Sequence, residues 1–484
     1  MHLNRLSTSL SIAVLSFLCL AFVGKTALAQ TPPKAETAKS AEVPEDMLNS
    51  ALNAETFYKI LLAELNLLDE EPRIAFALIL DSARKTKDDA LFERAVTIAL
   101  QSRSGESALS AARAWLVATP TSLDAARYMV QISLGMNRLD QPAGKADLAI
   151  ALQVAKIALT TNPADADAAQ LAVTMMATQE PMAEQLVKQY LDSKTSKPKP
   201  EVRLAYSRAL VTAERFADAK AQVQKLSVDA PTFAAGWLVL GTLQYQESQE
   251  IVEKQGITAG SKASNDAAEI SLKKYIQLTD SLPPTQRVAS QQRAYVLLAN
   301  MAKTNKQYQQ AYDILNKIIA ANKDDAEGNQ ADLQYELAMM AEKLTKLDDM
   351  ERILRQVIAA KPNDPQAYNA LGYSLADRNV RLPEAKELIQ QAVKLAPQDP
   401  FIADSLGWVE FKMGNLAEAQ RVLETAYKTK PDAEIAAHLG EVLWKQGLKD
   451  RATAVWKEGI SLNKSNDTLV ETLKRFGVKF NAQP

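Results

Sequence analysis

The sequence predicts an all-α fold, a right-handed superhelical solenoid of about ten or eleven stacked helix pairs. Three observations point there. Gly372, Gly407 and Gly440 are 35 and 33 residues apart, Ala385, Ala419 and Ala452 are 34 and 33 apart, and Pro362, Pro397 and Pro431 are 35 and 34 apart. Three independent columns therefore share one period. The composition is helical: 16 glycines in 484 residues and 6% aromatics, in a background of Ala, Leu, Lys, Glu and Gln, which lose little side-chain freedom in a helix. The boundaries are also written out. In KPNDPQAY and APQDPFIA, Pro362 and Pro397 close one helix, Asp364 and Asp399 cap the next, and Pro365 and Pro400 occupy its first turn, where a missing N–H costs nothing.

Taken in order, residues 1–29 read as an export signal. Arg5 precedes an apolar run from Leu10 to Val23, and Ala27-Leu28-Ala29 supplies a small-x-small cleavage pattern ahead of Gln30. The run is short against the roughly 20 apolar residues that span a bilayer; the alternative is retention as an uncleaved anchor. The single cysteine, Cys19, lies inside this run behind Leu18 rather than behind the small residue that a lipid-anchoring signal needs. The mature chain then has no thiol for a disulfide or a metal. It keeps 54 basic against 58 acidic residues, without the basic stripe of a nucleic-acid binder. Residues 30–52, rich in Pro, Ala, Lys and Glu, read as a flexible linker.

Residues 53–290 read as degenerate repeats. Ala108 with Pro120, Ala151 and Ala158 with Pro163, and Leu210, Ala219, Val223 and Pro231 keep the repeat distances. Trp237, Leu240 and Gly241 open a further unit that resumes at Ala268 and Leu272, after an insertion near 247–265 expected to be a solvent loop. Residues 291–464 are clearer. Tyr368, Leu371-Gly372, Ala385, Ile389, Ala392 and Pro397 are followed by Leu406-Gly407, Ala419, Leu423, Ala426 and Pro431, then by Leu439-Gly440, Leu443, Ala452 and Trp456. This is the tetratricopeptide pattern of a large residue, Leu-Gly, Ala, a large apolar residue and Pro. Gly372 and Ala385 are expected where the two helices of a pair cross. Residues 465–484 read as a capping helix and tail, with Thr468 and Glu471 as a capping box.

Little in the chain suggests catalysis. His438 is the one histidine after residue 29 and lacks a partner in any catalytic pattern. HExxH, GxSxG and Gly-rich dinucleotide fingerprints are absent. GITAGSK (256–262) fails phosphate-loop spacing, and the SxxK matches at Ser82-Lys85 and Ser461-Lys464 lack their companion motifs. No catalytic, cofactor-binding or metal-binding residue is assigned, and no cofactor is expected.

What remains is a surface. The first helix of each pair lines the concave side of such a solenoid, which there places Asn369, Tyr373 and Asp377; Asp404, Trp408 and Lys412; and Glu441, Trp444 and Lys445. Aromatics mixed with charges suit protein or peptide recognition. The competing reading packs Trp408 and Trp444 between repeats and leaves the charges solvated.

The stretch 369–447, with its phrases NALGYSLADR, DSLGWV and AAHLGEVLW, resembles a proteobacterial family of exported tetratricopeptide repeat (TPR) proteins. The best described members are outer-membrane lipoproteins that act as adaptors for periplasmic carboxyl-terminal-processing proteases. The resemblance covers the last third of the chain and implies an exported, non-catalytic periplasmic adaptor, at the outer membrane or free of it, whose partners are such a protease and cell-wall hydrolases. The missing lipidation cysteine is a departure from that family. The alternative is a TPR scaffold of an envelope export or assembly machine, of polysaccharide or pilus type.

Overall fold

A computed structural model describes residues 53–479 apart from 139–140, 196, 257 and 322–328. The expected signal (1–29), Cys19 and the expected linker (30–52) lie outside the described residues. Among those described, the chain holds twenty-three α-helices, one 3₁₀ turn and no strand. Successive helices pack as hairpins, so eleven pairs precede one closing helix. No described helix is long and apolar enough to cross a membrane.

The chain divides into two compact units, residues 1–274 and 275–484. The first contains α1 (Ala54–Leu68) through α10 (Phe216–Asp229), α11 (Ala234–Gln255) and most of α12 (Ala259–Thr279). Its core is alanine-rich, and of the degenerate repeat positions Ala108, Ala151, Leu210, Ala219 and Val223 are fully buried while Ala158 is partly so. The expected loop at 247–265 is instead mostly helix. Its Glu, Lys, Gln and Ala residues favour helix, so α11 runs on to Gln255 before Gly256, at φ +76°, turns the chain in a conformation open to glycine. Ser248 Oγ then donates to the Ser261 carbonyl at 2.8 Å, tying the two extended helices together. A Cβ on Gly241 would stand 2.8 Å from Leu272 Cγ and 3.2 Å from the Ala268 carbonyl oxygen. The repeat interrupted in sequence is therefore rejoined in space.

The second unit continues with α13 (Pro284–Thr304), α14 (Tyr308–Ala321), α15 (Asn329–Lys343), α16 (Leu347–Ala360), α17 (Pro365–Asp377) and α18 (Leu382–Leu395). It ends with α19 (Pro400–Lys412), α20 (Leu416–Thr429), α21 (Ala433–Lys445), α22 (Lys449–Leu462) and α23 (Asp467–Phe476). Asp364 and Asp399 cap α17 and α19 as expected, accepting from Gln366 N at 2.9 Å and from Phe401 N at 2.9 Å. A Cβ on Gly372 would meet Ile389 Cγ1 at 2.6 Å and the Ala385 carbonyl oxygen at 2.9 Å. That places the helix crossing where the glycine and alanine columns put it.

The capping box is corrected. Asn466, not Thr468, caps α23, its Oδ1 accepting from Leu469 N at 2.8 Å. Asn ranks above Thr as an N-cap, and Thr468 stands inside the first turn, its hydroxyl 3.4 Å from Glu434 Oε1.

Candidate functional site: one face of α17, α19, α21 and α23

In the second unit α17, α19, α21 and α23 pack side by side, with α18, α20 and α22 behind them. Gly372, Gly407 and Gly440 mark the rear, facing Ile389, Leu423 and Trp456. An α-helix turns about 100° per residue. Asn369, Tyr373, Asp404, Trp408, Glu434, His438 and Glu441 thus fall about 60–160° round from their glycines, on one common face.

The centre of that face is a buried His–Asp pair. His438 on α21, 1% exposed, places Nδ1 2.8 Å from Asp404 Oδ2 on α19. Its ring stacks on Trp408, centroids 4.2 Å apart, and its Nε2 lies 3.4 Å from the Tyr373 hydroxyl on α17. One imidazole therefore bridges three successive repeats. Burial alone would push it down; the charge and hydrogen bond of Asp404, with Glu434 and Glu441 beyond, hold it above its ordinary value. Burial also raises Tyr373 well above its usual range, reinforced by Glu434, Asp377, Asp404 and Glu342.

Two further carboxyls share the face. Burial raises Glu441 even though Arg475 of α23 pairs with it at 2.5 Å. Glu434 is raised too: burial comes first, His438 draws it back and Asp404 pushes it up again. No Lys or Arg pairs with Glu434 among the described residues.

The nine residues singled out from sequence fall into two groups. Asn369, Asp404, Trp408 and Glu441 are buried, and Tyr373 is partly so. Trp408 donates from Nε1 to Asp377 Oδ1 at 3.2 Å, and Lys412 Nζ sits 4.8 Å above its ring while bonding the Asp377 carbonyl at 2.9 Å. Trp444 is half-buried, stacked on Trp456 and tilted against Phe476. Asp377 and Lys445 are exposed. The aromatic residues therefore join repeats, and the charges at the helix ends reach solvent.

The partner of His438 was missed because no catalytic motif spans 34 residues. The signal was the period itself, since Asp404 precedes His438 by one repeat. Ser82, by contrast, is fully buried and donates to the Leu78 carbonyl, while Lys85 pairs with Glu55 and Asp81. Ser461 donates to the Glu458 carbonyl. Among the described residues no group of three or more His, Cys, Asp or Glu side chains could hold a metal.

Residues 335–400 and 405–458 match the family model for the tetratricopeptide repeat. The pairs from α15 to α22 carry tetratricopeptide repeats. A TPR repeat-containing protein of Pseudomonas aeruginosa is 35% identical over 147 residues, which is 30% of this chain and 24% of that protein. The chain thus matches about a quarter of that relative's length. Among solved structures, a tetratricopeptide repeat protein from Parabacteroides merdae is 16% identical with a TM-score of 0.43, covering 57% of this chain and 97% of that one. Yeast Tom70 is 13% identical with a TM-score of 0.35, covering 87% and 94%. Tetratricopeptide repeats of this kind are protein–protein interaction scaffolds.

Proposed function

We propose that the chain is an exported, non-catalytic adaptor of the bacterial periplasm that gathers proteins on its repeats, presenting cell-wall hydrolases to a carboxyl-terminal-processing protease. One observation supports the scaffold part most directly. Five residues after each crossing glycine, the side-by-side helices carry Asp377, Lys412 and Lys445, of which Asp377 and Lys445 are exposed and Lys412 partly so. Equivalent positions thus differ in chemistry along one continuous face, as recognition of an asymmetric partner requires. Export is supported by the charged, apolar and small-x-small order of residues 1–29. The choice of partner rests on the resemblance of 369–447 to the adaptor family.

The test is in-cell crosslinking of the full chain, affinity capture and mass spectrometry, with an Asp377→Ala/Lys445→Ala variant alongside. Recovery of a processing protease and wall hydrolases, weakened in the variant, supports the adaptor. Recovery of export-channel or polymer-synthase subunits replaces it with the envelope-machine scaffold. Capture of nothing beyond the untagged control rejects both. N-terminal sequencing of the mature protein should begin at Gln30; an intact Met1 would reject cleavage.

A further inference from the structure

We propose that the outward side of α1 is a docking site for one amphipathic helix of a partner protein, its apolar stripe lying along Tyr58, Leu61, Leu65 and Leu68 and its Lys or Arg residues beside Asp69, Glu70 and Glu71. The site uses the first unit alone and stands whichever partners the face of the second unit takes. α1 turns Thr56 and Ala63 inward, with Ile60 and Leu67 packed on the same core. On its other side Phe57, Tyr58, Leu61, Leu65 and Leu68 are 61, 63, 47, 47 and 81% exposed. At about 200 Å² for a large side chain, that is on the order of 600 Å² of apolar surface. The largest patch on a typical monomer is about 300–600 Å², and each partner in a standard interface buries roughly 800 Å². The last described helix is finished differently. α23 buries Leu469, Thr472 and Leu473 and shows Asp467, Glu471, Lys474 and Arg475 to solvent, the polar outer face that closes a repeat array. α1, the first described helix, presents leucines instead.

Spacing and charge fix the occupant. Tyr58, Leu61, Leu65 and Leu68 are three, four and three residues apart, the a/d seam by which one helix takes another. At 100° per residue they fall within about 80° of one another. Along the seam the flanking acids are satisfied within the fold: Glu55 pairs with Lys59 and Lys85, and Glu64 with Arg94 at 2.7 Å. At its C-terminal end they are not. Asp69, Glu70 and Glu71 are exposed, no Lys or Arg pairs with them among the described residues, and the last turn holds no basic residue to offset its carbonyls. Arg73 is one cation beside three acids. A second copy packed in parallel would set these acids against themselves; packed antiparallel, it would offer Glu55 and the already paired Lys59 and Lys85. Residues 43–52 of the same chain carry Val43, Met47, Leu48 and Leu52, but also Glu45 and Asp46 and no Lys or Arg. Neither brings the missing charge. A helix with Lys or Arg at the end beside Asp69–Glu71 does, each cation meeting an unpaired carboxylate.

The test is fluorescence anisotropy with the full chain and two labelled three-heptad peptides. Both have Leu at a and d; one has Lys and the other Glu at e and g, charges that keep each peptide from pairing with itself. At low salt the basic peptide should bind about tenfold more tightly than the acidic one. Tyr58→Ser/Leu68→Ser removes the two most exposed members of the seam and should weaken binding about a hundredfold, the burial of two large side chains being lost. Because both residues are exposed, the thermal unfolding profile should match wild type. Asp69→Asn/Glu71→Gln should bring the two peptides to within about threefold of each other. Equal binding of both peptides to wild type, or unchanged affinity in the Tyr58/Leu68 variant, overturns the site. Binding of neither peptide overturns it too. A second copy then replaces the partner helix if wild type sediments as a dimer and the Tyr58/Leu68 variant as a monomer. Residues 43–52 replace it if Met47→Ser/Leu48→Ser opens the seam to the peptides.

Discussion

Adding one methyl group at Gly440 tests whether the glycine column is a packing requirement. The ideal Cβ would lie 2.2 Å from Trp456 Nε1 and 2.6 Å from its Cδ1, far inside any van der Waals contact. Trp456 is fully buried and donates to the Ala437 carbonyl at 3.2 Å, so it has nowhere to retreat without breaking that bond. Overpacking costs about 1–3 kcal/mol, and losing the hydrogen bond about 0.5–1.5 kcal/mol more. Against this, alanine gains about 0.8–1 kcal/mol of helix propensity over glycine. Gly440→Ala should therefore destabilise by about 1–3 kcal/mol. Repeat arrays unfold in parts, so the assay is chemical denaturation paired with hydrogen exchange of peptides from α21 and α22, where protection should fall first. Trp456→Phe removes the clashing nitrogen, so the two substitutions should couple favourably by about 1–2 kcal/mol in a double-mutant cycle. A Gly440→Ala protein more stable than wild type, or additivity in the cycle, would refute the close crossing.

The other predictions are simpler. Gly135→Ala should stabilise by about 0.5–1 kcal/mol, because no atom stands within 4 Å of the new Cβ; denaturation midpoints check it. Asn466→Ala should cost about 1 kcal/mol through the lost cap on α23, read as faster exchange in that helix alone. For His438→Gln the sign follows from a folded value raised above the free one near 6.5. The histidine's contribution is full below that pH and is lost as pH rises through the folded value, so the gap between wild type and variant in denaturation titrations should shrink with rising pH; a gap that widens would exclude the Asp404, Glu434, Glu441 and Tyr373 surroundings as its cause.

The repeat was legible because packing repeats. Each pair needs a small residue where its helices cross and a cap where its first helix begins, and both requirements recur at one spacing. The insertion was misread for the opposite reason. GITAGSK has the glycines of a loop, but the first helix ends at Gly256 and the next takes in Gly260, the flanking Glu, Lys, Gln and Ala residues extending α11 and α12 instead. The His438–Asp404 pair was illegible as a motif because its members lie on different repeats. Whether Trp408 faced a ligand or its neighbours could not be read from its identity, since an aromatic anchor and a core aromatic are the same residue. The 4.2 Å stack on His438 decides its neighbours.

The same contrast separates architecture from recognition inside one helix. Along the rear of α17, α19 and α21 the crossing position is Gly, Gly and Gly, because a Cβ would strike Ile389, Leu423 or Trp456. One residue on, about 100° round the helix, the side chains are Tyr, Trp and Glu. The helix crossing dictates the first column and leaves the second unconstrained, except through contacts among the repeats themselves. Those contacts have fixed Trp408 against His438 and Glu441 against Arg475.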